Sequence, residues 1–251
     1  MRRLFRPILD WLDLLRSWQA MAALVGIFLF EAGYLLWEAP AVVGETFDGI
    51  TGGQLYYYHG PAPDAWLRPF LIYMSLQAVL GRSLGGAPKE LPWPRLWLWA
   101  VLAGLTACGW AAMVALVDYY ALTQSGAVQD FDYLVAENAA VSALSVMILP
   151  LAVWQVAALQ SGPRIALAMI LRRIGRRWPL WLFNFALLQT GLNLLGVLSE
   201  RSSLALFGGQ PLWGYLYANL AYSFDLVAVI LFQVAAFRAV RAHGEAAKVF
   251  A

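Results

Sequence analysis

The chain is short of charge: 13% of its 251 residues are Asp, Glu, Lys or Arg, and 61% are apolar. A soluble globular domain carries about 25% charged and about 45 to 50% apolar residues. The deficit excludes an ordinary water-soluble domain and makes lipid the expected solvent. A single cysteine, Cys108, excludes an intramolecular disulfide, a Cys-x-x-Cys pair and a thiolate metal cluster. The two histidines, His59 and His243, fall on opposite sides of the membrane in the topology derived below. That separation excludes a bis-histidine haem site, a His-rich metal centre and a Ser-His couple within the membrane. No P-loop, Gly-x-Ser-x-Gly or His-Glu-x-x-His segment occurs. Lysine is nearly missing, with Lys89 and Lys248 set against fifteen arginines, the bias of a GC-rich coding genome and hence of a bacterium. The expectation is a protein with no cofactor, no metal and no catalytic set, and with no nucleic-acid partner.

What is present is apolar sequence cut into lengths of about 20 residues, enough to cross a hydrocarbon layer as helices. Residues 1–16 place Leu4, Ile8, Trp11, Leu12 and Leu15 on one stripe and Arg2, Arg3, Arg6, Asp10 and Asp13 on the other, which predicts an amphipathic interfacial helix. Six spans are expected after it: Trp18 to Trp37, Asp64 to Leu80, Leu96 to Val117, Ala139 to Leu159, Trp178 to Leu198 and Trp213 to Phe237. Ala39-Pro40-Ala41 after the first is rejected as a cleavage site, because the apolar stretch exceeds the usual length and contains Glu31. Ala103, Ala107, Ala111 and Ala115 recur every fourth residue in the third span, a ridge that admits close helix approach. Pro150 predicts a kink in the fourth. A second interfacial helix is expected at 165–178, with Arg172, Arg173, Arg176 and Arg177 on its polar face. Residues 38–65, 118–137 and 199–211 read as outer loops.

Counting cations fixes the direction. With the N-terminus inside, six spans place fifteen of the seventeen Lys and Arg residues on the cytoplasmic side, leaving Arg68 in a span and Arg201 outside. The expected fold is therefore an all-α integral membrane protein with six transmembrane helices and both termini cytoplasmic. Its parts are an interfacial helix at 1–16, one membrane domain at 17–238 and a cytoplasmic tail at 239–251, in the inner membrane.

Glu31 and Asp225 stand out, since an ionised carboxylate in hydrocarbon costs at least about 2.5 to 3.5 kcal/mol. With Arg68 and Asn193 they form the candidate intramembrane ion site. One reading makes them proton or cation sites in a transport path, the other buried acids bonded to neighbours, such as Glu31 to Arg68. Asn184, Gln189, Asn219, Tyr222 and Ser223 read as interhelical glue. The four arginines at 172, 173, 176 and 177 suit anionic lipid head groups or an acidic protein partner, and also serve as a positive-inside signal. The outer acids Glu45, Asp48, Asp64, Asp118, Asp130, Asp132 and Glu137 match no calcium loop. Tyr56, Tyr57 and Tyr58 read as interface anchors.

These features predict a non-enzymatic subunit or scaffold of a larger membrane assembly. The alternatives are a transport protein, either a permease served by an ATPase partner or a carrier using Glu31 and Asp225, and a lipid-handling protein. In layout alone the chain resembles the permeases of type-2 ABC exporters, with an N-terminal interfacial helix, six spans and internal termini. It departs from them in having its most basic inner segment after the fourth span rather than the second. A likeness of layout implies a fold and not an activity.

Overall fold

The computed structural model describes the backbone of residues 4–50, 63–85, 97–106, 146–161, 170–172, 177–207 and 211–249. Within these it describes the side chains chiefly of 4–34, 70–85, 97–106, 148–159, 177–196 and 219–242. Every described element is helical and none is a strand. In chain order these are α1 (Arg6–Leu15), α2 (Trp18–Ile50), α3 (Pro63–Gly85), α4 (Trp97–Thr106), α5 (Leu149–Ser161), α6 (Trp178–Phe207) and α7 (Pro211–Val249). A single turn of 3-10 helix, Val146–Ile148, precedes α5.

The bundle is built around α7. From Ile230 to Phe237 all eight successive residues are buried, whichever way they point. Such a helix must be apolar on every face, and the sequence ILFQVAAF supplies that with one exception, Gln233. Around it pack α6, α2, α1, α3 and α5. Trp181 and Phe185 of α6 both lie against Phe232, with ring centroids 5.5 and 5.2 Å away. Further along, the Ser202 and Tyr217 hydroxyls meet at 3.3 Å, so α6 and α7 are antiparallel. α3 runs parallel to α7: its Tyr73 and Gln77 reach Gln233, and its last carbonyls are met by arginines. Arg238 Nε donates to the Leu84 carbonyl at 2.8 Å and Arg241 Nη1 to that of Gly85 at 3.3 Å. Cations there answer the carbonyls a helix leaves open at its C-terminus.

α1 begins with a proline in its first turn, where the missing N–H costs nothing. Pro7, Trp11 and Leu14 are buried and Ile8, Leu12 and Leu15 half-buried, while Arg6, Asp13 and Arg16 face outward. Of the expected apolar stripe Leu4 is exposed, because the buried face is centred on Pro7, Trp11 and Leu14, and Leu9 lies among the outward residues. The Trp11 indole donates to the Ala228 carbonyl at 2.9 Å, and Asn184 Nδ2 of α6 donates to the Leu4 carbonyl at 2.9 Å. The chain then bends by 69° into α2. Ser17 makes the corner, its hydroxyl accepting the Ala20 N–H at 3.2 Å in the manner of a helix N-cap. Between α1, α6 and α7 lies an open apolar groove of about 480 Å³, lined by Phe5, Ile8, Trp11, Leu188, Leu192 and Phe224 among others.

Several boundaries differ from those expected of the sequence. α2 continues through Pro40 to Ile50, α6 through Ser199 to Phe207, and α7 to Val249 with Val240 buried. Parts of two expected loops and most of the expected tail are thus helical. Turn-forming residues set a propensity of only about 1 kcal/mol for glycine and about 3 for proline, which the rest of a long helix can override. Pro150 is the second residue of α5 and follows the 3-10 turn directly; residues 139–145 of the expected fourth span lie outside the described residues. Among the described residues one helical stretch is long and apolar enough to cross a membrane, Asn219–Ala242 of α7, and the bent pair α1 with Trp18–Tyr34 makes a second if taken as one broken span.

Candidate functional site

The four residues of the expected ion site meet different fates. Glu31 is buried on α2, 4% exposed, and is engaged in a polar interaction. Asn193 is half-buried on α6 and likewise engaged. Asp225 is half-buried on α7, and its Oδ1, shut off from solvent, has no hydrogen-bond partner among the described residues. Arg68 lies on α3, its side chain outside the described set. Among the described residues no group of three or more His, Cys, Asp or Glu could hold a metal.

The polar residues expected to act as glue do so locally. Besides reaching Leu4 of α1, Asn184 Nδ2 donates to the Leu180 carbonyl one turn back at 2.8 Å, and its Oδ1 accepts nothing from the described residues. Ser223 returns its hydroxyl proton to the Asn219 carbonyl at 2.8 Å. Gln189 is buried on α6. Asn219 Nδ2 is buried with no acceptor among the described residues. The part of α7 before Leu226 therefore holds an amide and a carboxylate with buried atoms that the described residues do not partner.

A second polar zone, which the sequence reading passes over, lies further along α7, around Gln233. Gln77 Nε2 of α3 donates to Gln233 Oε1 of α7 at 2.9 Å, and the Tyr73 hydroxyl donates to the same oxygen at 3.1 Å. Trp99 Nε1 of α4 donates to Gln77 Oε1 at 2.8 Å. The Thr106 hydroxyl of α4 reaches Gln155 Oε1 of α5 at 3.3 Å while also bonding the Leu102 carbonyl at 2.8 Å. Gln77, Gln155 and Gln233 are at most 3% exposed. Four helices are thereby tied by amide, hydroxyl and indole groups, a chemistry that fixes register and carries no charge. The signal was present in the sequence: each glutamine is the lone strongly polar residue of its apolar stretch, IYMSLQAVL, LAVWQVAAL and ILFQVAAF.

The bundle's outward faces are apolar at helical spacing. Met21, Val25 and Leu29 on α2, Trp97, Val101 and Leu105 on α4, and Phe183, Leu187, Leu194 and Leu198 on α6 are all exposed. Of the expected basic surface, Arg172 and Arg177 are exposed, whereas Arg173 and Arg176 lie outside the described residues, as do Ala107, Ala111, Ala115, Cys108, Tyr56 to His59 and the acids at 118–137. Ile170 is buried and Leu171 exposed, so the stripe expected of residues 165–178 is not uniform where it is described. Comparison with protein-family models, with curated proteins and with solved structures returns no match.

Proposed function

We propose that the chain is a six-span bacterial inner-membrane protein with both termini cytoplasmic, acting as a non-enzymatic subunit or scaffold of a larger assembly. The observation that carries this reading is the depth at which α1 is docked. Ala228, which receives the Trp11 indole, lies ten residues before Arg238 on α7, about 15 Å at 1.5 Å per residue. Arg238 and Arg241, bound to the end of α3, and the exposed Arg82 and Arg177 mark the basic end of the bundle. Half of a hydrocarbon core is also about 15 Å. The outer stripe of α1, with Arg6, Asp13 and Arg16 exposed and Asp10 at its edge, therefore sits where lipid would cost at least about 2.5 to 3.5 kcal/mol per charge. A protein surface that covers this stripe removes the penalty.

Two other features support the membrane reading. The apolar outer faces of α2, α4 and α6 exceed what water tolerates on a monomer and suit hydrocarbon. The parallel α3 and α7 and the antiparallel α6 have the relative directions that six alternating spans require. Anionic lipid head groups are the expected neighbours of Arg172 and Arg177 at the basic end. Purification from membranes in mild detergent should yield the chain in a stoichiometric complex; a monodisperse single copy refutes the subunit reading.

A transport reading has one observation in its favour, the buried and unpartnered oxygen of Asp225. It requires Asp225 and Glu31 to bind and release a cation. Unchanged transport in the Glu31→Gln, Asp225→Asn variant removes it.

A further inference from the structure

The charges on α1 carry information about what covers them. Arg6, Leu9, Asp13 and Arg16 form the outward stripe, and Asp10 joins its edge, paired with Arg6 Nε at 3.3 Å within the same helix. The stripe thus holds two cations and two anions. An anionic lipid head group would meet Asp10 and Asp13, and a uniformly acidic or basic partner would meet two like charges. A surface of the same mixed character fits best, and one such surface is α1 itself.

We infer that α1 is the seam of a homodimer, two copies packing antiparallel about a two-fold axis at Leu9. This deepens the subunit reading above and rests on it. In that arrangement Leu9 touches Leu9 of the second copy. The two-fold brings residues equally far before and after Leu9 to the same level, so Arg6 of each copy lies level with Leu12 of the other and beside its Asp13, within reach of the long guanidinium side chain. Arg6 then bridges Asp10 of its own helix and Asp13 of the second copy, using the several donors of one guanidinium. The contact is isologous, so it closes at two copies, with Arg6, Asp10 and Asp13 paired across the seam and Arg16 at its rim. Buried charge of this kind is tolerated when paired, and it sets the register of the two helices.

The test uses the full chain in native membranes, with Cys108→Ser to remove the natural thiol and Leu9→Cys to place one on the axis. Mild oxidation should convert most of the protein to a disulfide-linked dimer. Adding Arg6→Asp should lower the cross-linked fraction at least tenfold, and Arg6→Asp with Asp13→Arg should restore it. Because residue 9 is exposed, the cysteine perturbs no core, and thermal unfolding in detergent checks that each variant folds. Absence of the cross-link, together with a different protein at one-to-one stoichiometry, overturns the homodimer and leaves the subunit reading standing. Absence of the cross-link with a monomeric chain overturns both.

Discussion

The two polar zones of this bundle lie on the same central helix and obey different rules. Around Gln233, two other helices contribute donors: Tyr73 and Gln77 from α3, then Trp99 from α4 through Gln77. Earlier along α7, Asp225 and Asn219 have buried atoms for which the described residues supply no partner. The zone around Gln233 is uncharged and its oxygens are satisfied, although the neighbouring Gln155 Nε2 has no partner among the described residues; the zone nearer the N-terminus of α7 contains a carboxylate, and there Asp225 Oδ1 and Asn219 Nδ2 have none. In a low-dielectric interior a hydrogen bond is strong and a missing one is costly. The comparison separates a structural clasp from a zone whose buried polar atoms the other described helices do not hold.

Breaking the clasp should give the largest effect. Gln233→Leu removes the acceptor of the Tyr73 hydroxyl and leaves Gln77 Nε2 with only the Tyr73 oxygen to donate to, a loss that costs about 1 to 3 kcal/mol for such groups. Stability against SDS titration in mixed micelles should fall by that amount. The Gln77→Leu, Gln233→Leu double variant should lose less than the two single losses added together, because removing both partners leaves fewer orphans. Additive losses would show that the contact does not couple the two helices.

The zone around Asp225 should respond in the opposite sense. Asp225→Leu removes a carboxylate with a buried, unpartnered oxygen, and the same titration should show a gain of about 1 kcal/mol. A loss of similar size would reveal a partner for Asp225 and make the two zones alike. Glu31 offers the contrast within the same prediction: it is buried and engaged, so Glu31→Leu should destabilise where Asp225→Leu does not.

The sequence carried the helical class, since it follows from composition and from apolar length. It also carried the amphipathic character of α1 and the outward charges Arg6 and Asp13, because a period near 3.6 needs no tertiary knowledge, but not the centre of its buried face, which falls on Pro7, Trp11 and Leu14. Element ends were legible only in part: Gly, Pro and Ser near residues 40, 199 and 209 argue for loops, yet α2 and α6 run on through the first two of these places. The candidate site was read by charge, and charge led to Glu31 and Asp225 while passing over Gln77, Gln155 and Gln233. Burial cost alone ranks a carboxylate above an amide. What decides whether the residue holds the fold is whether neighbours on other helices meet it, and that is set by packing, which spacing along one chain does not encode. The depth of α1 was hidden for the same reason: its amphipathic pattern says that one face is buried, not how far along α7 the burial occurs.

The smallest effect should come from the tether between the zones. Asn184 stands on α6 close to the level of Phe232 and holds the Leu4 carbonyl, just ahead of α1, through its Nδ2. Asn184→Ala deletes that bond and the return bond to Leu180, yet the Leu180 carbonyl also lies in the regular helix and the Leu4 carbonyl is at an exposed chain end. A net loss of about 0.5 to 1 kcal/mol is the expectation for one intramolecular hydrogen bond. It should appear as local release of α1 and not as global unfolding, since Trp11, Leu14 and the Ala228 contact still hold the middle of the helix. A cysteine at Leu4 should become several-fold more reactive to a maleimide in the Asn184→Ala background, while one at Leu14 stays protected. Equal exposure of both positions would mean that Asn184, and not Trp11, anchors α1 to the bundle. The charged stripe would then owe its depth to a single amide.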